Sequence, residues 1–166
     1  MSRSGFLDLK YLFSPDSIAI IGASPEPGKP ISFYIQNLLK HGYKGKVYPV
    51  NPKYADIKGL KCYGSIHDIP GEIDTVSIAL RNADVIGALK DCVKKGVRTA
   101  IVFSAGFAEI GAEGKNLQNE IGELAKTSGM RILGPNCNGI MNINNRTIMS
   151  LFFYPDMEST IPGEVS

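Results

Sequence analysis

The chain has 166 residues, of which 43% are hydrophobic and 20% are charged, and its formal net charge is +2. This composition is typical of one globular domain with a sizeable core and excludes a disordered chain, while the small net charge argues against a general nucleic-acid-binding protein. No segment reaches the roughly 18 consecutive apolar residues that a membrane span needs, and the first residues lack the apolar core of a secretion signal, so we expect a cytoplasmic protein with no membrane partner.

The cysteines and histidines predict neither a disulfide framework nor a metal site. Cys62, Cys92 and Cys137 are odd in number and lack a C-x-x-C spacing, and His41 and His67 are the only histidines. We therefore expect no metal ligand in this chain. Cys92 is interpreted as a core residue, His41 as a surface residue at a helix end, and His67 as a turn or capping residue.

Residues 1–16 are predicted as a lead-in segment to the folded domain. Residues 8–16 favour a short helix or turn, and we expect its apolar side chains to pack against the edge of a sheet: Leu9, Leu12 and Phe13.

The next stretch, SIAIIGASPEPGKP, predicts a strand, a loop and the start of a helix. Ser17–Ile21 is an apolar run bounded by Gly, which is typical of a central parallel strand that helices cover on both faces. Gly22 would let a ligand approach the backbone, and Pro30 suits a first helical turn, whose N–H groups would face an anion. The spacing is neither GxGxxG nor GxxxxGK[ST], so the loop alone is equally compatible with a ligand site and a plain turn.

Strand-like and helix-like segments alternate along the rest of the chain. The helix from Pro30 is expected to bury four apolar residues before Gly42 ends it: Ile31, Ile35, Leu38 and Leu39. Further helices are predicted over 83–95 and 113–127. Further strands are predicted over 46–51, 74–80, 99–103 and 130–133, with a small extension over 59–63, a connection over 65–70, and a last strand or hairpin over 140–142 and 147–152.

This alternation predicts an α/β fold with a Rossmann-like, doubly wound, mainly parallel sheet. We assign it to a single domain over residues 17–152, followed at 153–166 by the start of a linker to a second domain. In such sheets ligands bind beyond the carboxyl ends of the strands, at the switch in strand order. Five loops are expected at that edge: residues 22–28, 51–53, 80–82, 104–106 and 134–137.

The end of the second strand indicates which nucleotide binds there. NAD-binding domains usually carry Asp or Glu at this position, whereas this chain has Asn51, Pro52 and Lys53. Seven lysines and one acid lie between Lys29 and Lys61. A lysine attracts a phosphorylated ribose, so NADP or coenzyme A fits better than NAD, and the absence of the three-glycine spacing favours coenzyme A.

Five blocks of sequence together resemble a known family: LFSPDSIAIIGAS, KGKVYPVNPKY, GLKCYGSIHDIP, VFSAGFAEIGAEGK and GMRILGPNCNGIMN. In this order they are similar to the N-terminal CoA-binding domain of the ADP-forming acyl-CoA (acetate–CoA) synthetases, which are relatives of the succinyl-CoA synthetase alpha subunit. The resemblance extends over about residues 7–142. It departs from the family at Leu80-Arg81-Asn82, where a Val-Pro turn is common, and at Asn138, where an apolar residue is commoner.

The resemblance implies roles for the residues at the predicted sheet edge. Gly22, Ala23, Ser24 and the start of the following helix would hold the phosphates of coenzyme A, and Lys53 would lie near the phosphorylated nucleotide. Two segments would line the path of the pantetheine arm: Ser104-Ala105-Gly106 and Asn136-Cys137. Lys29, Asn51, Pro52 and Leu80 complete the candidate site, and Cys137 is either a thiol in its wall or a small core residue.

The resemblance also implies partners outside this sequence. In these ligases a phosphohistidine lies in a second domain, and an ATP-grasp domain or subunit handles ATP. Neither His41 nor His67 has the Gly-rich context of a phosphohistidine, so we expect this chain to bind coenzyme A as part of an ADP-forming acid–CoA ligase and to be inactive alone. The alternatives are a stand-alone CoA- or NADP-binding regulatory module and an NADP-dependent reductase domain, for which no hydride-site acid or base is apparent.

Overall fold

The structure is a computed structural model that describes residues 9–154. The predictions for residues 1–8 of the lead-in and 155–166 of the linker lie outside the described residues. The elements in chain order are α1 (Lys10–Phe13), β1 (Ser17–Ile21), α2 (Ser32–Lys40), β2 (Lys46–Val50), β3 (Asp56–Ile57), β4 (Leu60–Lys61), β5 (Thr75–Ile78), α3 (Asn82–Lys95), β6 (Thr99–Val102), α4 (Ala112–Ser128), β7 (Arg131–Leu133), β8 (Gly139–Asn142) and β9 (Thr147–Ser150).

Five parallel strands form the central sheet, in the order β2-β1-β5-β6-β7. Counted along the sheet strands alone, this is the doubly wound order 2-1-3-4-5, in which the winding direction reverses between β1 and β5. The predicted Rossmann-like fold class is therefore confirmed. The switch point lies at the carboxyl ends of β1 and β5, where ligands bind in sheets of this kind.

Alternating side chains of the strands supply two cores, one on each face of the sheet. In β1, Ile18 and Ile20 pack on the face covered by α2 and the β8–β9 hairpin. Ala19 and Ile21 pack on the opposite face, which α3 and α4 cover. Every residue of β1 is buried, which explains why the strand is a nearly continuous apolar run rather than an alternation of apolar and polar residues.

The helix after β1 begins later than predicted. Pro30 lies in a preceding turn, where the N–H groups of Ser32, Phe33 and Tyr34 donate to carbonyls three residues back, and α2 starts at Ser32. Leu39 was predicted to be buried but is 44% exposed. The buried face instead follows helical spacing through Ile31, Tyr34, Ile35 and Leu38, and Leu39 lies about 100° away from Leu38 around the helix axis.

Other boundaries were predicted well, with local corrections. In α1 only Leu12 is buried, whereas Leu9 and Phe13 are each 40% exposed, because a single helical turn presents little more than one side chain to the core. The predicted last strand or hairpin is an antiparallel hairpin of β8 and β9, which is separate from the main sheet and ends at Ser150. Cys92 is fully buried, as predicted.

Among the helices of residues 9–154, none has the length and apolar content that crossing a bilayer requires.

Candidate functional site

Two adjoining cavities open at the switch point of the sheet. The first cavity has a volume of about 780 Å³ and the second about 500 Å³. Five residues line both cavities, and they follow the ends of β1, β2 and β5 or lie in the loop before α2: Gly22, Lys29, Asn51, Ala79 and Leu80. The cavities therefore meet at the point where ligand binding is expected in this fold.

The two cavities have different chemical linings. The first is lined by charged and polar side chains as well as apolar ones: Pro52, Lys53, Ser65, Arg81, Asp84 and Asp91. The second extends towards the ends of β6 and β7 and contains no charged side chain except Lys29: Ser24, Ile31, Phe103, Ser104, Ala105 and Asn136. One end of the cleft thus suits a charged group and the other an uncharged one.

Gly22 brings together the corners after β1 and β5, where a corner means the turn formed by the first residues after a strand. Its φ is +82°, and a Cβ at this position would lie 2.2 Å from the carbonyl oxygen of Ala79. Both the left-handed backbone conformation and the close approach of a neighbouring strand require a glycine. Its own N–H donates to the carbonyl of Val50 at 3.0 Å, which fixes the corner against β2 as well.

Asn51 joins the corner after β2 to the corner after β1. Its Nδ2 donates to the carbonyl of Ala23 at 2.8 Å, and its Oδ1 accepts the N–H of Lys53 at 3.0 Å. Ala23 was predicted as a binding residue, but its side chain is fully buried in the core, and it is absent from both cavity walls. Asn51 therefore positions the Lys53 corner rather than leaving both ends of its amide for a ribose.

Lys29, which lines both cavities, is part of a cluster that links two loops. The carboxylate of Glu26 accepts a hydrogen bond from the Tyr54 hydroxyl at 2.7 Å and lies 3.0 Å from Nζ of Lys29. These two contacts, with the Tyr54 bond the larger effect, hold the pKa of Glu26 below its usual value. The cluster is exposed, so a ligand phosphate could compete with Glu26 for Lys29.

Ser104 holds the corner after β6 against the corner after β5. Its buried Oγ donates to the carbonyl of Leu80 at 2.6 Å and accepts the N–H of Leu80 at 3.1 Å. Its carbonyl accepts the N–H of Asn136 at 3.0 Å, so the corner after β7 is attached to the same residue. Asn136, with φ of +56°, follows as part of the second cavity wall.

Gly106 lies behind this wall rather than in it. Its carbonyl accepts Nδ2 of Asn82 at 2.6 Å, and its N–H donates to Oε1 of Glu109 at 2.7 Å. Hydrogen bonds from the N–H groups of Glu109 itself and of Gly106 hold the pKa of the Glu109 carboxyl below its usual value. Gly106 is absent from both cavity walls, and its position along the ligand path stays a prediction.

Cys137 is likewise absent from both cavity walls. It is half-buried and packs against the core on the face of the sheet that α2 covers, and its Sγ accepts the N–H of Gly139 at 3.4 Å. The structure places Cys137 at the margin of the core and outside the two cavity walls, and its role stays a prediction.

Ten of the thirteen candidate residues line the two cavities, and Ala23, Gly106 and Cys137 do not. Sequence reasoning missed the far wall of the first cavity, where α3 contributes Asp84, Ala88 and Asp91. Their spacing of four and three residues places them on one helix face, and that periodicity could have identified them. Asp91 lies 3.1 Å from Nζ of Lys94 and 3.6 Å from Nε2 of His67, and both lower its pKa, Lys94 more strongly.

The switch point of this parallel sheet carries the Gly22 corner, three cationic side chains (Lys29, Lys53 and Arg81) and a second, less charged cavity. These features define a nucleotide-binding α/β domain. Comparison with known families makes this specific. Residues 16–143 match the CoA binding domain family, and the chain belongs to that family. The prediction of a CoA-binding domain is thereby confirmed.

Similar proteins include ADP-forming ligases from archaea. The chain is 43% identical over 148 residues to acetate–CoA ligase [ADP-forming] II of Archaeoglobus fulgidus, covering 89% of this chain and 22% of that protein. It is 45% identical over 134 residues to acetate–CoA ligase [ADP-forming] II subunit alpha of Pyrococcus furiosus, covering 81% of this chain and 29% of that subunit. The chain thus spans less than a third of either relative.

A solved structure has the same fold. Acetyl-coenzyme A synthetase 1 of Ca. Korarchaeum cryptofilum, in complex with phosphate and ADP, superimposes with a TM-score of 0.82 at 41% identity. The match covers 87% of this chain and 31% of that one.

Proposed function

We propose that this chain binds coenzyme A across both cavities, with the phosphorylated nucleotide in the first and the pantetheine arm in the second. The observation that carries the proposal is the pairing of a charged cavity with a less charged one at a shared glycine corner. Coenzyme A has the same division, because a 3′-phosphorylated ADP is joined to a long uncharged arm.

The first cavity supplies what a nucleotide with three phosphates requires. Lys53 would attract the ribose phosphate, and Gly22 allows the pyrophosphate to approach the backbone without a Cβ in the way. Lys29 stands at the boundary of the two cavities, where the pyrophosphate would continue into the arm. Since charged hydrogen bonds to phosphate are stronger than neutral ones, these cations would contribute most of the discrimination between ligands.

The second cavity would hold the pantetheine arm and thereby position its thiol. Apolar side chains of Ile31 and Phe103 offer contact with the methylene and dimethyl groups, and the amide of Asn136 offers a partner for an arm amide. Fixing the thiol would reduce the entropic cost of its attack on an activated acyl group.

We further propose that this binding serves an ADP-forming acid–CoA ligase, as the names of the archaeal relatives suggest. The acyl chemistry would then take place with a second ligase domain that carries a phosphohistidine and an ATP-grasp domain or subunit. The chain described here would contribute no catalytic side chain, and its part in the reaction would be to bind coenzyme A and position the thiol.

Isothermal titration calorimetry with coenzyme A, dephospho-CoA, NADP and NAD tests the binding proposal. We expect coenzyme A to bind, dephospho-CoA to bind at least about tenfold more weakly, and Lys53→Ala to reproduce about tenfold of that loss, since a charge-assisted hydrogen bond is worth about that factor. Lys46→Ala is the matched control, because Lys46 is an exposed lysine at the opposite end of the same strand. Tight binding of NAD without binding of coenzyme A would refute the proposal, and preference for NADP would favour the regulatory-module alternative.

A further inference from the structure

We infer that Arg81 is a second specificity-determining residue, which holds the ribose phosphate of the ligand together with Lys53. The inference rests on the proposed binding of coenzyme A in the first cavity. It adds a residue that lies at the corner where this sequence has Leu80-Arg81-Asn82.

The sheet order places Arg81 and Lys53 on either side of the glycine corner. Lys53 follows β2 and Arg81 follows β5, and these two strands flank β1. Neighbouring strands are about 4.8 Å apart, so the two corners are separated by roughly 10 Å. Both side chains line the first cavity, and one phosphate between them would be within reach of both long side chains.

The guanidinium of Arg81 is oriented but largely uncovered. Its Nε donates to Oδ2 of Asp84 at 3.0 Å, and the side chain is 85% exposed. Within residues 9–154 this hydrogen bond uses Nε alone, so the two terminal amino groups keep donors for an incoming ligand. Such a pair of donors matches the oxygens of a phosphate bidentately, which an ammonium group does not do.

The charges around the first cavity indicate the ribose phosphate rather than the pyrophosphate as the partner of Arg81. Lys29 already stands at the junction of the two cavities, beside the glycine corner. Asp91, on the α3 wall of the first cavity, is paired with Lys94 at 3.1 Å and lies 3.6 Å from Nε2 of His67. Arg81 and Lys53 are therefore the other two cationic side chains that line the first cavity, and they are the ones that could bind a further phosphate. The exposed ion pair between Arg81 and Asp84 is of a weak kind that a phosphate can displace or share.

Titration of two Arg81 variants with coenzyme A and dephospho-CoA tests the inference. We expect Arg81→Ala and Arg81→Gln each to weaken the binding of coenzyme A about tenfold and that of dephospho-CoA less than about twofold. Only coenzyme A carries the ribose phosphate, so only its binding loses a charge-assisted contact. The double variant with Lys53→Ala should bind both ligands alike. Lys126→Ala is the charge-matched control, since Lys126 forms an exposed pair of the same spacing with Glu123 near the end of α4.

The result also separates this inference from the proposed function. If the unaltered chain binds neither coenzyme A nor dephospho-CoA, the proposed function falls. If the unaltered chain prefers coenzyme A and the Arg81 variants keep the whole preference, or lose both ligands equally, the inference about Arg81 falls alone. Thermal unfolding of each variant should match the unaltered chain, because an exposed side chain is removed.

Discussion

Replacing Ser104 by alanine should destabilise the domain by loosening the contact between the corners after β5 and β6. The buried hydroxyl donates to the carbonyl of Leu80 and accepts its N–H, at 2.6 and 3.1 Å. Alanine lacks this hydroxyl, so the N–H and the carbonyl of Leu80 both lose their hydrogen-bond partner. The hydrogen bond from the N–H of Asn136 would be kept, because its acceptor is the backbone carbonyl of residue 104.

The expected magnitude follows from these two hydrogen bonds. Each bond contributes about 1 kcal/mol net, and a buried group left unpaired costs about 1–3 kcal/mol, so Ser104→Ala should lower the free energy of unfolding by about 2–4 kcal/mol. For a domain of this size the melting temperature should fall by roughly 4–16 °C. Urea unfolding followed by circular dichroism measures the free energy directly, and calorimetry with coenzyme A would show weaker binding.

Thr147→Val is the matched control for the loss of a buried hydroxyl. Thr147 is fully buried, and its Oγ1 has no hydrogen-bond partner among residues 9–154. Removing this hydroxyl should therefore be neutral or stabilising, because an unpaired polar group is taken out of the core. Equal free energies of unfolding for the two variants would refute the role assigned to Ser104.

Two further predictions concern the same edge of the sheet. Gly22→Ala should lower the free energy of unfolding by at least about 3 kcal/mol, since the left-handed conformation alone costs about 1–2 kcal/mol and the Cβ would overlap the carbonyl oxygen of Ala79. Gly42→Ala, also at positive φ but with open space around it, should cost the conformational part only, and equal costs in urea unfolding would contradict the steric argument. Glu109→Gln should destabilise the domain above pH 5 and less so at acid pH. The folded-state pKa of Glu109 is lowered, so its contribution is present above the unfolded-state pKa and is lost as the pH falls through the folded-state value. Unfolding measured from pH 7 to pH 3 checks this, and a difference between the two proteins that does not change with pH would count against it.

The apolar runs were sufficient to predict the sheet and the edge at which the two cavities open. A run such as Ser17–Ile21 marks a buried strand, and the residue at which it stops marks the carboxyl edge, so Gly22, Asn51, Leu80 and Ser104 were all assigned to the correct edge. This works because side chains of parallel strands are buried on both faces, which leaves a strong sequence signal. The start of α2 was predicted less well, since Pro30 is compatible with both a turn and a first helical residue.

The orientation of residues within the corners could not be predicted from the sequence. Ala23, Gly106 and Cys137 lie in the correct loops but point away from the cavities or act through their backbone. A loop has no periodicity, so neighbouring residues carry no signal that separates the wall from the core. The deciding contacts are long-range ones, such as Ser104 with Leu80 and Asn51 with Ala23, which are 24 and 28 residues apart.

These long-range contacts also determine how the site can recognise a ligand. Asn51 and Ser104 already use their polar groups to join adjacent corners, so they hold the edge of the sheet in shape before a ligand arrives. Recognition is then left to the exposed cations and to the open backbone at Gly22. Interactions of exposed charges are screened by salt, with a Debye length of about 8 Å at physiological ionic strength. The preference for a ribose phosphate should therefore weaken as salt is added, while binding of the uncharged arm in the second cavity should not.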